Sequence, residues 1–266
     1  MRSITAPFPA LCLAFAALLP APAQEKPAPA KIAPPVKVLS FAGYEWEVKN
    51  RADLAGPGPN RWDERNVWLD ETGALHLKIA QRDGQWTCAE LTSKQRFGFG
   101  HYTFKIEGAV DRLDPQVVFG LFLYPTRDVG PDGTHEIDIE FARWGKLENP
   151  IGNYSVWPVV LPAKHNSHRF PITLDGTFTT QRWTWLPDSV SFQSQHGHRD
   201  DNQQPFGQWK YAPETPATTV SRKPMPLHFN LWLFRGGLPT DGKEAELVVR
   251  AFKFEPLAEQ PEQPAK

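Results

Sequence analysis

The sequence predicts an all-β fold, and three features of the chain support that prediction. Short runs in which apolar and polar residues alternate recur along its 266 residues. Turn-forming residues, 19 glycines and 27 prolines, punctuate these runs. No long amphipathic helical pattern interrupts them. Many short strands separated by turns predict a β-sandwich or a barrel, and we favour a two-sheet β-sandwich, a jelly roll with a concave cleft.

Five runs give the clearest strand signals, at residues 74–79, 102–106, 117–124, 227–233 and 247–254. A hairpin is predicted where two further runs flank Leu186-Pro187-Asp188. Trp183 and Trp185 share one face of this hairpin, and we expect both to pack in the core.

Composition limits the classes of partner. The formal net charge is -1, which gives no electrostatic basis for binding nucleic acid or an anionic membrane. Aromatic residues make up 12% of the chain and include ten tryptophans. A tryptophan-rich core and a neutral, ring-shaped ligand both explain this excess.

The first residues have the pattern of a secretory signal peptide, predicted over residues 1–23. Arg2 is followed by an apolar stretch from Leu11 to Leu19 and then by Ala21-Pro22-Ala23, a small-x-small cleavage pattern. We therefore expect a secreted or periplasmic protein with no other membrane association. Lipidation of Cys12 is left open.

The remaining chain divides into three predicted parts. Residues 24–36 form a Pro/Ala-rich linker, residues 37–256 the folded domain, and residues 257–266 a disordered tail. We expect a monomer. After removal of the signal peptide Cys88 is the one cysteine left, so an intrachain disulfide is excluded. Cys88 lies in the strand-like run 86–91, and we expect it to be a small buried hydrophobe.

An acidic strand carries the chemical signal. In a strand, side chains alternate between two faces, so Glu136, Asp138 and Glu140 share one face. Ile137 and Ile139 share the other face, which is suited to a core. Three carboxylates on one face repel each other, and folding alone does not require them. A calcium site and a solvated strand face are the alternatives to a catalytic role.

Retaining glycoside hydrolysis needs such a set of groups. One ionised carboxylate acts as nucleophile and one carboxyl group as acid and then base. A central Asp138 can share a proton with either neighbour, and like-charge proximity raises pKa values. The outer glutamates lie about 13 Å apart along a flat strand, whereas retention requires carboxyl groups about 5–5.5 Å apart. A catalytic role therefore also predicts a concave sheet.

The motif Glu136-Ile137-Asp138-Ile139-Glu140-Phe141 resembles the active-site signature of family 16 glycoside hydrolases, on the licheninase and xyloglucan-transglycosylase side of that family. Further segments resemble the family in the same order, over roughly residues 40–256 in all. These segments are residues 93–102, 120–124, 152–154, 183–188 and 229–232.

The resemblance implies a β-jelly roll with a sugar-binding cleft, so that residues 37–256 would be a catalytic domain. It assigns Glu136 as the nucleophile, Asp138 as its assistant and Glu140 as the acid/base. The implied activity is a retaining endo-β-glycosidase that hydrolyses a β-linked polysaccharide or oligosaccharide, with β-1,3 or mixed-linkage glucan favoured. No cofactor or catalytic metal is required, and a structural calcium ion is left open. A transglycosylase and a non-catalytic carbohydrate-binding protein are the alternatives.

The chain departs from the family on both sides of the motif. Thr134-His135 stands where licheninases tend to have Trp-Asp, and Ala142-Arg143-Trp144 follows Phe141. A ring beneath the cleaved sugar must then be missing or come from elsewhere. Side chains proposed to contact the substrate are Tyr124, Asn153, Trp157, Asn230 and Trp232. Either asparagine could instead satisfy a turn or backbone groups.

Overall fold

The computed structural model describes residues 35–258. The predicted signal peptide (1–23), nearly all of the linker (24–36) and most of the tail (257–266) lie outside these residues. Strands in the described chain, in order, are β1 Val38–Phe41, β2 Tyr44–Val48, β3 Arg51–Ala55, β4 Asn60–Trp62, β5 Val67–Leu69, β6 Leu75–Arg82, β7 Gln85–Thr87, β8 Ala89–Phe97, β9 Gly100–Glu107, β10 Val117–Leu123, β11 Ile137–Ala142, β12 Gly152–Val156, β13 Asn166–Phe170, β14 Phe178–Trp185, β15 Val190–His196, β16 Pro205–Tyr211, β17 Met225–Leu233 and β18 Ala245–Pro256.

These strands form two large antiparallel sheets. The front sheet has the order β1-β2-β8-β17-β10-β11-β12-β13, and the back sheet has the order β16-β15-β14-β9-β18-β6-β5, with β7 paired to β6. Strands β3 and β4 form a small separate ribbon. Both large sheets end in edge strands, so the predicted sandwich is confirmed and a closed barrel is wrong.

Helices are short in the described chain. A single α-helical turn, α1, covers Pro216–Thr219, and 3-10 turns cover Glu64–Asn66, Val110–Arg112 and Phe234–Gly236. No helix within residues 35–258 is long and apolar enough to cross a lipid bilayer.

Aromatic side chains from both sheets build the core between them. Trp46 of the front sheet stacks on Phe229 of the same sheet, with ring centroids 4.7 Å apart. Both rings contact the back sheet: Phe252 lies 6.1 Å from Trp46, and Phe104 lies 5.9 Å from Phe229. Because strand residues alternate, Phe229 faces this core while its neighbours His228 and Asn230 face away from it.

The hairpin prediction is confirmed, since β14 pairs with β15 across Leu186–Ser189. Trp183 and Trp185 are buried, as expected, with 1% and 0% of their surfaces exposed. The predicted run 86–91 is interrupted at Cys88, whose N–H donates to the carbonyl of Arg61 instead of continuing the strand. Cys88 is buried, and burial raises the pKa of its thiol to about 12, which confirms the apolar role.

Replacing Phe229 tests the core directly. We expect Phe229→Ala to lower the free energy of unfolding by about 3–5 kcal/mol, because it leaves a cavity between Trp46 and Phe104. The control is Phe178→Ala, a strand residue with 47% of its surface exposed, for which we expect a change within about 0.5 kcal/mol. Guanidinium denaturation followed by tryptophan fluorescence measures both values, and equal losses in the two variants would contradict this packing.

Candidate active site on the front sheet

Strand β11 positions the acidic motif. Its core-facing residues Ile137, Ile139 and Phe141 are completely buried. Their burial turns Asp138 and Glu140 to the opposite face of the front sheet, away from the back sheet. Glu136 precedes the strand by one residue, but its carbonyl still accepts a hydrogen bond from the N–H of Trp157 at 2.8 Å. The three carboxyl groups therefore share one face, as predicted.

Strand pairing places further side chains on that face, because directly opposed residues of neighbouring antiparallel strands project together. One row across the sheet consists of Glu90, Asn230, Gly120, Glu140, Asn153 and Arg169. The adjacent row consists of Thr92, His228, Phe122, Asp138, Ser155 and Ser167. Both rows pass through the acidic strand near their middle.

Two adjoining cavities form a cleft over these rows. The Lys49 cavity, of 390 Å³, extends towards Lys49 and Tyr124. The Trp144 cavity, of 420 Å³, extends towards Trp144 and Trp157. Glu136, Glu140 and Trp232 line both cavities. The cleft therefore continues on either side of the carboxyl groups.

Burial controls the protonation of the acidic strand. It is the largest cause of a rise in the pKa of Glu136 to about 8, and the charges of Glu140 and Asp132 act in the same direction. A hydrogen bond with Asp138 partly opposes this rise.

The pKa of Asp138 lies well above its usual range because of burial, and then because of the charge and hydrogen bond of Glu136. The pKa of Glu140 is also raised well above its usual range, first by burial and then by the charge of Asp138, while Arg169 opposes this rise. The pKa values of all three carboxyl groups therefore lie above the ordinary carboxyl range, and Glu136 and Asp138 titrate as a pair.

The segment before β11 explains the departure at Thr134-His135. His135 has a left-handed backbone with φ 65°. Its ring nitrogen Nδ1 lies 2.9 Å from the hydroxyl of Ser221, and Thr134 donates a hydrogen bond to the carbonyl of Pro131 at 2.6 Å. Both residues are buried. They therefore anchor the entry to β11, and neither provides a ring in the cleft.

The segment after β11 provides such a ring. Trp144 lines the Trp144 cavity, and its indole N–H donates to Asn153 Oδ1 at 3.1 Å. The amide nitrogen of Asn153 donates in turn to the carbonyls of Ala142 and Ile151, at 3.0 Å and 2.9 Å. Both ends of this amide have partners within the protein, so Asn153 holds Trp144 in place and satisfies backbone groups.

Asn230 differs from Asn153. It is 3% exposed, and its Oδ1 has no hydrogen-bond partner within the described residues. The side chain lies over Gly120, where an added Cβ would be 2.5 Å from Oδ1. Glycine at this position therefore makes room for the Asn230 amide between Glu90 and Glu140. Trp232, two residues along the same strand, is 8% exposed and also has a buried, unpartnered indole N–H.

The other predicted contact residues also lie in the cleft. Tyr124 lines the Lys49 cavity, and burial followed by the charges of Glu136 and Asp132 raises the pKa of its hydroxyl. Trp157 lines the Trp144 cavity and donates its indole N–H to Asp138 Oδ2 at 2.9 Å.

Sequence reasoning missed several cleft residues. Lys49 forms an ion pair with Glu90 at 3.0 Å, and the ring of His228 stacks on Phe122 at 4.9 Å. Trp144, which the sequence shows only as a departure from the family pattern, lies in the turn two residues beyond Ala142, the last residue of β11. Even spacing is the one sequence signal that could have identified it.

Among residues 35–258, no group of three or more His, Cys, Asp or Glu side chains has an arrangement that could hold a metal ion.

Solved structures with the same architecture include glucanases. A β-glucanase from Bacillus licheniformis superimposes with a TM-score of 0.57 and 18% identity, over 82% of this chain and 97% of that one. A family 16 endo-glucanase from Bacteroides ovatus, in complex with G4G3G-2F-DNP, gives a TM-score of 0.60 and 14% identity, over 79% and 94% of the two chains. The chain has the family 16 glycoside hydrolase fold.

A β-1,3-glucanase from Mycobacterium marinum shares this family 16 fold, with a TM-score of 0.57 and 20% identity over 79% of this chain and 90% of that one. No protein-family model and no curated protein matches the sequence. At these identities the likeness concerns the fold, and the chemistry rests on the residues of the cleft.

The raised pKa of Glu136 predicts how stability depends on pH. The pKa of Glu136 is about 4.3 in the unfolded chain and about 8 in the folded protein. At pH values between these two, the native state binds more protons than the unfolded state. Stability is therefore full below the unfolded value and falls as the pH rises through about 8. Because Glu136 is half-buried, we expect a loss of about 1–2 kcal/mol between pH 6 and pH 9.

Denaturant unfolding at the two pH values measures this loss. Glu136→Gln, which cannot ionise, should reduce the loss, whereas the matched control Glu71→Gln, at an exposed position, should retain it. The same pH dependence in wild type and Glu136→Gln would refute a raised pKa at Glu136.

Proposed function

We propose that this protein is a secreted, retaining endo-β-glycosidase that hydrolyses a β-1,3 or mixed-linkage glucan by double displacement. One observation carries the proposal: a single strand presents Glu136, Asp138 and Glu140 to a cleft where burial and mutual repulsion raise their pKa values. Such a site can hold one acid protonated beside a second carboxylate at neutral pH.

Glu140 is the acid/base in this mechanism, and Glu136 is the nucleophile. Glu136 forms a bond to the anomeric carbon while the glycosidic bond breaks, and the proton of Glu140 passes to the departing oxygen. Water then attacks the glycosyl ester and gives its proton to Glu140, which restores both groups. Asp138 opposes the rise in the pKa of Glu136 and so favours the charged form of the nucleophile. The reaction needs no cofactor beyond these carboxyl groups and water.

The cleft supports a polymeric, uncharged substrate. It continues on both sides of the carboxyl groups, as cleavage within a chain requires. Trp144 and Trp232 provide flat apolar faces for sugar rings, and the unpartnered Oδ1 of Asn230 can accept a hydrogen bond from a sugar hydroxyl. A β-1,3-glucanase and a family 16 endo-glucanase are among the proteins of similar fold, which supports a β-glucan.

The proposed site of action is outside the cytoplasm. Residues 1–23 have the pattern of a cleavable signal peptide. Cleavage of the chain after Ala23, measured by mass spectrometry of the secreted protein, would support this location.

Removing either outer carboxylate tests the roles of Glu136 and Glu140. We expect Glu136→Gln and Glu140→Gln each to lower kcat/KM on laminarin or lichenan by at least about 10³-fold, because each loses a group that acts in the transition state. Circular dichroism and thermal unfolding should show folded protein in both cases. The exposed control Glu71→Gln should keep wild-type turnover, and wild-type turnover in either cleft variant would end the assignment.

Azide rescue separates the two roles. With a dinitrophenyl β-glycoside, whose leaving group needs no acid, azide should convert Glu136→Ala to production of the α-glycosyl azide. The same reagent should give the β-glycosyl azide with Glu140→Ala, because azide then attacks the covalent intermediate. Proton NMR of the products reads the anomeric configuration. Reversed configurations would exchange the two assignments, and oligosaccharides longer than the donor in wild-type digests would identify a transglycosylase.

Gly120 provides a test of the role of Asn230. We expect Gly120→Ala to raise KM about tenfold, the loss of about one hydrogen bond, because the new Cβ would displace the Asn230 amide. The control Gly98→Ala adds a Cβ whose nearest neighbour is Pro224 Cγ at 3.6 Å, an ordinary contact, and should leave KM unchanged. Initial-rate kinetics on a soluble β-glucan compare the two, and an unchanged KM in Gly120→Ala would remove Asn230 from the substrate site.

A further inference from the structure

We infer that Trp157 is a positioning residue. Its indole N–H engages one oxygen of Asp138, so that a proton on Asp138 lies on the other oxygen, towards Glu136. The inference rests on the proposed function, because it concerns the same nucleophile. It assigns Trp157 a role other than the sugar contact predicted from the sequence.

The contact between Trp157 and Asp138 fixes one oxygen of the carboxyl group. The indole Nε1 of Trp157 lies 2.9 Å from Asp138 Oδ2. An indole N–H can only donate a hydrogen bond, so Oδ2 must act as the acceptor. Asp138 is 2% exposed, and within the described residues no other side chain donates to it. This hydrogen bond occupies Oδ2 as an acceptor and favours Oδ1 as the oxygen that carries a proton on Asp138.

The second oxygen of Asp138 is free to carry a proton. Oδ1 is buried and makes no hydrogen bond of ordinary geometry within the described residues, and the neighbouring Glu136 carboxyl group raises the pKa of Asp138. Two ionised carboxylates cannot hydrogen-bond to each other, whereas a protonated Oδ1 can donate to Glu136. Once the pair has lost its first proton, it holds one proton and one negative charge, and the charge is on Glu136, where a nucleophile needs it.

Trp157 is itself held rigidly. Its backbone N–H donates to the carbonyl of Glu136 at 2.8 Å. One face of its ring stacks on His165, with centroids 4.4 Å apart and planes 25° apart. Gly133 approaches the ring from the loop before β11, where an added Cβ would lie 3.8 Å from it. An indole restrained in this way can direct its N–H at one oxygen without cost in side-chain entropy during turnover.

Other ionisable groups surround the pair. They are Glu140 on the same strand, Tyr124 at the end of β10, Asp132 in the preceding loop, His228 on β17, and His165 and Arg169 beside β12. Among these groups none takes the place of the indole as donor to Oδ2. The N–H of Trp157 therefore stabilises the negative charge of the pair, and its removal should raise the pH at which the pair first ionises.

Nuclear magnetic resonance tests the inference on the complete protein without substrate. The Nε1–H signal of Trp157, assigned by its loss in Trp157→Phe, should shift with pH, and Asp138→Asn should abolish that shift. Trp144, whose indole N–H donates to the neutral amide of Asn153, is the matched control and should not follow the same titration. A Trp157 signal that does not titrate, or one that titrates unchanged in Asp138→Asn, would overturn the inference whether or not the protein is a glycosidase.

Kinetics provide the second measurement. Trp157→Phe keeps a flat ring but lacks the donor, and we expect kcat to fall about tenfold with KM within about twofold. The acid limb of its kcat–pH profile should move to higher pH, while Trp144→Phe should leave that limb in place. An unmoved limb together with a raised KM in Trp157→Phe would make Trp157 a sugar platform and overturn the positioning role. If Trp157→Phe does not fold, the titration of the wild-type signal and its loss in Asp138→Asn decide the question.

Discussion

The alternation of side chains along β11 is the constraint on which the site depends. Ile137, Ile139 and Phe141 are completely buried, and each buried side chain of this size contributes about 1.5–3 kcal/mol. A shift of the strand by one residue would expose all three and bury three carboxyl groups in the core. The core therefore fixes the acidic face in the cleft, against the repulsion between the charges on that face.

Repulsion and desolvation raise the pKa values of these carboxyl groups. In water three neighbouring carboxyl groups would all ionise below neutral pH, but here burial and mutual repulsion keep protons among them. The surrounding side chains decide where those protons lie. Trp157 donates to Asp138, and the charge of Arg169 lowers the pKa of Glu140. The three similar groups thus take different roles: Asp138 and Glu136 act as a pair of acid and carboxylate, and Glu140 acts as a separate acid.

The sequence predicted those parts of the molecule that depend on local pattern. Period-two alternation was sufficient for the acidic strand and for the hairpin carrying Trp183 and Trp185, because both signals lie within a few residues. Side chains that meet across strands could not be predicted in the same way. Lys49 and Glu90 are 41 positions apart, and Thr92 and His228 are 136 apart, yet they are in contact because β2, β8 and β17 are neighbours in the sheet. The different use of two asparagines also depends on such contacts, since the partners of Asn153 come from the turn after β11.

Trapping the covalent intermediate tests the central claim most directly. A 2-deoxy-2-fluoro β-glucoside oligomer with a dinitrophenyl leaving group should glycosylate the enzyme with release of one equivalent of dinitrophenol, because the fluorine slows the second step more than the first. Peptide mass spectrometry should then find the fluorosugar on Glu136. A modified Glu140, or release of dinitrophenol with no sugar attached to the protein, would contradict the account.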